Sequence, residues 1–169
     1  DEVNEDEAVE EISDVKALKN KISIKSPVKG EAVPLSQVDD PTFAEEIMGK
    51  GIAIIPTEDE IFSPINGTVS LVFNTKHAIG LKTEDGAEVL IHIGLDTVKL
   101  NGEHFTTFVK SGDKVKVGDK LVEFDREAIK NKGYDIITPI IITNSSDYLD
   151  IIPKDVTSVN QGDEVLAIL

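Results

Sequence analysis

The rhythm of strand-forming and turn-forming residues constrains this chain's fold more than any other feature. From Ile22 onward, short runs rich in Val, Ile and Thr are interrupted by Gly, Pro, Asp and Asn about every eight to twelve residues. Such runs are too short for helices that pack on one another. They predict an all-β chain, an antiparallel β-sandwich or barrel. Helix is predicted only at Pro41 to Met48, with Asp39 or Asp40 as N-cap, and at Arg126 to Lys132 after Asp125. Both are short helical turns that decorate sheets. Ahead of the strands, Asp1 to Glu11 is strongly acidic and holds almost nothing that could pack. Residues 1–21 are therefore set apart as an acidic tail or linker, and 22–169 as a single domain.

Two short patterns recur. Ser26-Pro27-Val28-Lys29-Gly30 aligns with Ser63-Pro64-Ile65-Asn66-Gly67, and Val117-Gly118-Asp119 echoes Gln161-Gly162-Asp163 ahead of a strand. Together they predict a duplicated β unit. Each pattern occurs twice only, which excludes a solenoid.

Charge narrows the partners. A formal net charge of -15 repels phosphate backbones, so nucleic acid is excluded and a basic protein surface is the expected partner. The absence of cysteine removes disulfides and zinc-thiolate sites. Apolar residues make up 40% of the sequence but form no run of about 20, so the expectation is a soluble piece.

The chemistry concentrates between Thr68 and Asp96. Asp85-Gly86 between two alternating patterns predicts a tight hairpin. A loop of two or four residues would oppose Ile79 to His92, His77 to Gly94 and Thr75 to Asp96. Thr75, His77, His92 and Asp96 then share one face, with the two histidines diagonal neighbours roughly 7–8 Å apart. Gly94 is expected to leave a gap facing His77. A three-residue loop would break this arrangement. A lone histidine between Ile91 and Ile93 reads as a core residue; two burying together carry a double desolvation cost that a function must justify. His104, in the polar stretch Gly102-Glu103-His104, reads as a surface residue.

Three chemistries fit two such histidines. A neutral imidazole is a nucleophile near pH 7, so His92 can carry a phosphoryl group while His77 and Thr75 donate hydrogen bonds. Alternatively His77, His92 and Asp96 could hold the zinc of a hydrolase, through a His-x-Gly-x-Asp element like that of β-fold endopeptidases. Those enzymes also need a downstream His-x-His, and only His104 follows His92. The Gly-Asp hairpins also suggest a biotinyl or lipoyl carrier, but the one methionine, Met48, lies in the predicted helix and not beside a hairpin lysine.

The longer motifs are more specific. They are Phe43-Ala44-Glu45, Gly49-x-Gly51-Ile52-Ala53-Ile54-x-Pro56, Thr75-Lys76-His77-Ala78-Ile79-Gly80, His92-Ile93-Gly94-Leu95-Asp96-Thr97-Val98 and Leu100-x-Gly102-x-x-Phe105. With Thr138-Pro139-Ile140-x-x-Thr143-Asn144, they resemble the glucose-type enzyme IIA domains of the bacterial phosphoenolpyruvate-dependent sugar phosphotransferase system, from about Ile22 to Leu169. The resemblance implies an antiparallel β-sandwich with a shallow apolar depression around two histidines. By position it implies His92 as the phosphorylated residue, His77 as its hydrogen-bonding partner and Thr75 as the group that tunes His77. It implies HPr as phosphoryl donor and a cysteine of an enzyme IIB domain as acceptor. Asp40 and Asp96 would meet basic groups on those partners, and Phe43, Ile47 and Phe73 would form a hydrophobic rim. No cofactor and no metal is implied for the transfer. The acidic start and the lack of an initiating Met lead to the expectation of a domain linked to a longer membrane permease, placed in the cytoplasm or on the cytoplasmic face of the membrane.

Overall fold

The computed structural model describes residues 21–169; the acidic tail predicted at the start falls, in residues 1–20, outside the described residues. In chain order the strands are β1 (Ile22–Lys25), β2 (Gly30–Val33), β3 (Lys50–Pro56), β4 (Glu60–Phe62), β5 (Gly67–Val72), β6 (Ala78–Thr83) and β7 (Glu88–His92). They continue as β8 (Phe105–Thr107), β9 (Lys114–Val115), β10 (Lys120–Phe124), β11 (Thr138–Ile142), β12 (Ile151–Pro153), β13 (Ser158–Val159) and β14 (Glu164–Ile168). All recorded pairings are antiparallel. The eight-stranded sheet runs β13-β2-β3-β11-β7-β6-β5-β9, and two three-stranded sheets run β1-β14-β12 and β4-β10-β8. One apolar cluster joins Ile24 and Leu166 of one small sheet, Ile61 and Leu121 of the other, and Ile54, Leu81, Ile91 and Ile140 of the large one. The result is the sandwich that the strand rhythm predicts.

The order of the large sheet reads as a palindrome about the β11/β7 pair, and the duplicated pattern explains why. Ser26 and Ser63, both fully buried, each send the hydroxyl to the carbonyl two residues on, at 2.7 Å. Ser26 N donates to Asp163 O at 2.6 Å and Ser63 N to Asp119 O at 2.7 Å, so each Ser-Pro corner docks on one Gly-Asp turn. The corners also exchange bonds with each other: Lys25 N donates to Pro64 O, and Phe62 N to Pro27 O. Two halves related by an approximate two-fold follow from this reciprocity.

The predicted helices are shorter than expected. α1 (Pro41–Ala44) has Asp40 as its N-cap, accepting from Thr42 N at 2.9 Å, and it ends where Glu46 turns left-handed with φ 58. α2 (Arg126–Asn131) is capped by Asp125, which accepts from Ala128 N at 3.0 Å. Three single 3₁₀ turns, at Leu35–Gln37, Thr97–Leu100 and Ser145–Asp147, carry no strong propensity signal and were not expected.

The β6–β7 hairpin overturns the expected register. Thr83 N bonds to Ala87 O at 2.9 Å and Gly86 N to Thr83 O at 3.0 Å, leaving a three-residue loop, Glu84-Asp85-Gly86, with Gly86 at φ 92. That is the turn whose third position needs a left-handed residue, and Gly supplies it. Ala78 therefore opposes His92, and Ile79 opposes Ile91. Ile79 and Ile91 point into the main core, whereas Ala78, Leu90 and His92 face outward. Over that outward face fold Leu35, Val38 and Phe43, forming a second apolar cluster with Ala53 and Ile141.

Candidate functional site

His92 is the last residue of β7 and emerges at the rim of the second cluster, half-buried. Its Nδ1 lies 2.7 Å from the carbonyl of Gly94. A carbonyl only accepts, so Nδ1 carries the hydrogen and Nε2 keeps its lone pair. Burial pushes the His92 pKa below the usual imidazole range, while the Gly94 carbonyl, Asp40 and Asp96 push the other way. The ring is neutral at pH 7.

His77 reaches His92 by a route the alternation rule does not describe. It precedes β6, in a loop closed by Phe73 N to Ala78 O at 3.1 Å and bent at Lys76, φ 62. Outside regular strand, period two no longer decides the side chain's direction. Its backbone lies beside Ile93, whose N donates to His77 O at 2.7 Å, yet its ring turns outward to meet His92. The centroids are 4.9 Å apart at 84°, edge to face. His77 is 3% exposed, and burial first and His92 second hold its pKa down to about 4. Thr75 Oγ1 lies 2.7 Å from His77 Nδ1, fixing that end of the ring.

Other expected residues take different places. Phe43 is buried and packs against His92 with the rings tilted at 56° and 5.0 Å between centroids, so it is a floor and not a rim. Phe73, half-buried, packs edge-on against His77 at 5.5 Å. Ile47, 69% exposed, does stand out from the surface. Asp96 does not oppose Thr75; it opens the Thr97–Leu100 turn with φ 59, exposed, and acts on His92 through charge alongside Asp40. Gly94 does not clear space for His77. A Cβ there would come within 2.6 Å of Thr97 Cγ2 and 2.7 Å of Asp135 O, at φ 79. His104 is partly buried at φ 75, not a simple surface residue. The sequence reading missed the Gly94 carbonyl as the acceptor for His92, because a backbone oxygen leaves no mark in residue types.

The zinc-hydrolase expectation finds no ligand set: among the described residues, no three His, Cys, Asp or Glu side chains gather so as to hold a metal ion. Among the same residues no helix is long and apolar enough to cross a membrane.

The chain is 51% identical to the glucose-specific EIIA component of Oceanobacillus iheyensis, across 84% of this chain and 86% of that protein. It is 52% identical to the β-glucoside-specific EIIBCA component of Bacillus subtilis, across 86% of this chain but 24% of that longer protein. The chain thus spans about a quarter of that relative's length. Among solved structures, glucose permease IIA from Mycoplasma capricolum superposes with a TM-score of 0.81 at 37% identity, covering 88% of this chain and 96% of that one. Residues 22–148 match the family described as phosphoenolpyruvate-dependent sugar phosphotransferase system, EIIA 1, and the chain belongs to that family.

Proposed function

We propose that this chain carries a phosphoryl group on His92 Nε2, taking it from phospho-HPr and passing it to the cysteine of an enzyme IIB domain during sugar uptake. The observation that supports this best is the 2.7 Å bond between His92 Nδ1 and Gly94 O, which leaves Nε2 as the lone-pair nitrogen at a shallow surface. In the transfer, the Nε2 lone pair forms the new N–P bond as the bond from phosphorus to the donor breaks, its electrons staying with the donor. The His92 ring then gains positive character, which the Gly94 carbonyl stabilises through the Nδ1–H. Thr75 donates to His77 Nδ1, so that the Nε2–H of His77 is free to hydrogen-bond a phosphoryl oxygen on His92. Ile47 and the carboxylates of Asp40 and Asp96 supply an apolar contact ringed by charge, suited to brief docking of basic partners. In longer relatives EIIA is one part of an EIIBCA component; we infer the same kind of covalent link to a permease for this domain.

Incubation with phosphoenolpyruvate, enzyme I and HPr is expected to add one acid-labile, base-stable phosphoryl group. Labelling that persists in His92→Ala overturns the assignment.

A further inference from the structure

The bond that orients His92 depends on two consecutive peptide groups, each held at both ends. The Ile93–Gly94 peptide accepts at its carbonyl from Thr97 Oγ1, at 2.6 Å, and donates its N–H to Ile137 O at 3.1 Å. The Gly94–Leu95 peptide accepts at its carbonyl from His92 Nδ1 and donates its N–H to Asp135 O at 3.0 Å. Ile137 is itself fixed, its N–H bonded to Asp135 Oδ1 at 2.8 Å. Thr97 is the one side chain among these tethers to the 93–95 segment other than His92 itself, and it is fully buried. The chain between the two peptides pivots at Gly94, φ 79, and turns left-handed again at Asp96. Without a Cβ at 94 the pivot has glycine's backbone freedom, and these bonds set its angle between the buried side chains of Ile93 and Leu95.

A hydroxyl also clamps the other half of the molecule: Ser145 Oγ donates to Ile142 O where the chain leaves β11. The clamp is therefore part of the fold, and only beside β7 does it stand next to a histidine.

We propose that Thr97 is a positioning residue for His92: by holding the Ile93 carbonyl it aims the next carbonyl, that of Gly94, at His92 Nδ1 and so fixes which ring nitrogen is free. Its effect on transfer rests on the phosphoryl-carrier reading; its effect on the ring does not. Loss of the hydroxyl strands a buried carbonyl, which is relieved by turning that peptide and misaligning the next.

The test uses ¹⁵N-labelled histidine in the full chain. Wild type is expected to show His92 as the Nδ1–H tautomer. Thr97→Val, of matching shape without the hydroxyl, is expected to shift the tautomer ratio roughly three- to tenfold toward Nε2–H. Thr97→Ser restores it, and Ser145→Ala leaves it unchanged. If Val is not accommodated, Thr97→Ala removes the hydroxyl without adding a methyl. A folded Thr97→Val or Thr97→Ala chain with the wild-type ratio overturns the proposal. Phosphorylation by phospho-HPr is expected to slow about ten- to a hundredfold in Thr97→Val. A shifted ratio in a chain whose wild type accepts no phosphoryl group would sink the carrier reading and leave the positioning role standing.

Discussion

The imidazoles of His77 and His92 meet edge to face, 4.9 Å between centroids, inside a surface that keeps both neutral. His92 makes His77 harder to protonate, because the second charge would arrive beside the first.

Burial of His77, with His92 beside it, makes stability depend on pH. The folded-state pKa of His77 is about 4 against an ordinary 6.5, so between those values the unfolded chain binds more protons than the folded one. Stability is full above pH 6.5, falls as pH drops toward 4, and levels off below. The loss assigned to His77 is on the order of 3 kcal/mol. Urea melts at pH 7 and pH 4 measure it, and His77→Gln is expected to flatten the slope in that window. An unchanged slope would place the dependence elsewhere.

Asp40 and Asp96 both raise the His92 pKa against the stronger effect of burial. Asp96→Asn and Asp40→Asn are each expected to lower it further, seen by NMR titration of the His92 ring. A rise in either variant contradicts the electrostatic account.

His77 and His92 should contribute unequally to transfer. His77→Gln keeps a donor of similar reach but cannot become cationic, so it should slow onward transfer to an enzyme IIB domain more than it slows phosphorylation of His92. Loss of one positioned donor typically costs on the order of 10²–10³ in rate. Rapid-quench measurement of both half-reactions decides the matter, and wild-type rates in both would return His77 to a packing role.

Gly94→Ala would force a Cβ to within 2.6 Å of Thr97 Cγ2 and 2.7 Å of Asp135 O at a left-handed φ. A loss of about 1–3 kcal/mol is expected from the strain, measured by thermal melting. Its His92 ring nitrogens should change together with the melt; a variant as stable as wild type with an unchanged ring would refute the close packing.

The sandwich was legible in the sequence because Val, Ile and Thr runs between turn residues report strands directly. The duplication was legible too, although pairing of Ser26 with Asp163, and of Ser63 with Asp119, needed the fold. Register was not. Asp85-Gly86 fits a two-residue turn or the end of a three-residue one, and the choice depends on Thr83, whose side-chain Oγ1 accepts from Ala87 N at 2.9 Å. His77 and His92 come together despite the wrong register, because Lys76 turns the chain out of the strand before His77. Contacts made by main-chain atoms, such as those of Gly94 and Asp135, depend on backbone conformation and leave no pattern of residue types to read.

The reciprocal bonding of the two halves also bears on how the chain is made. Neither half is a continuous stretch: β1 pairs with β14, and β4 with β10. On the ribosome, β1 waits until β14 has been synthesised before it has a partner, and closing such long loops is slow. A nascent chain arrested before Glu164 therefore exposes Ile22 and Ile24 as an unpaired apolar edge, open to chaperones and proteases until β14 emerges.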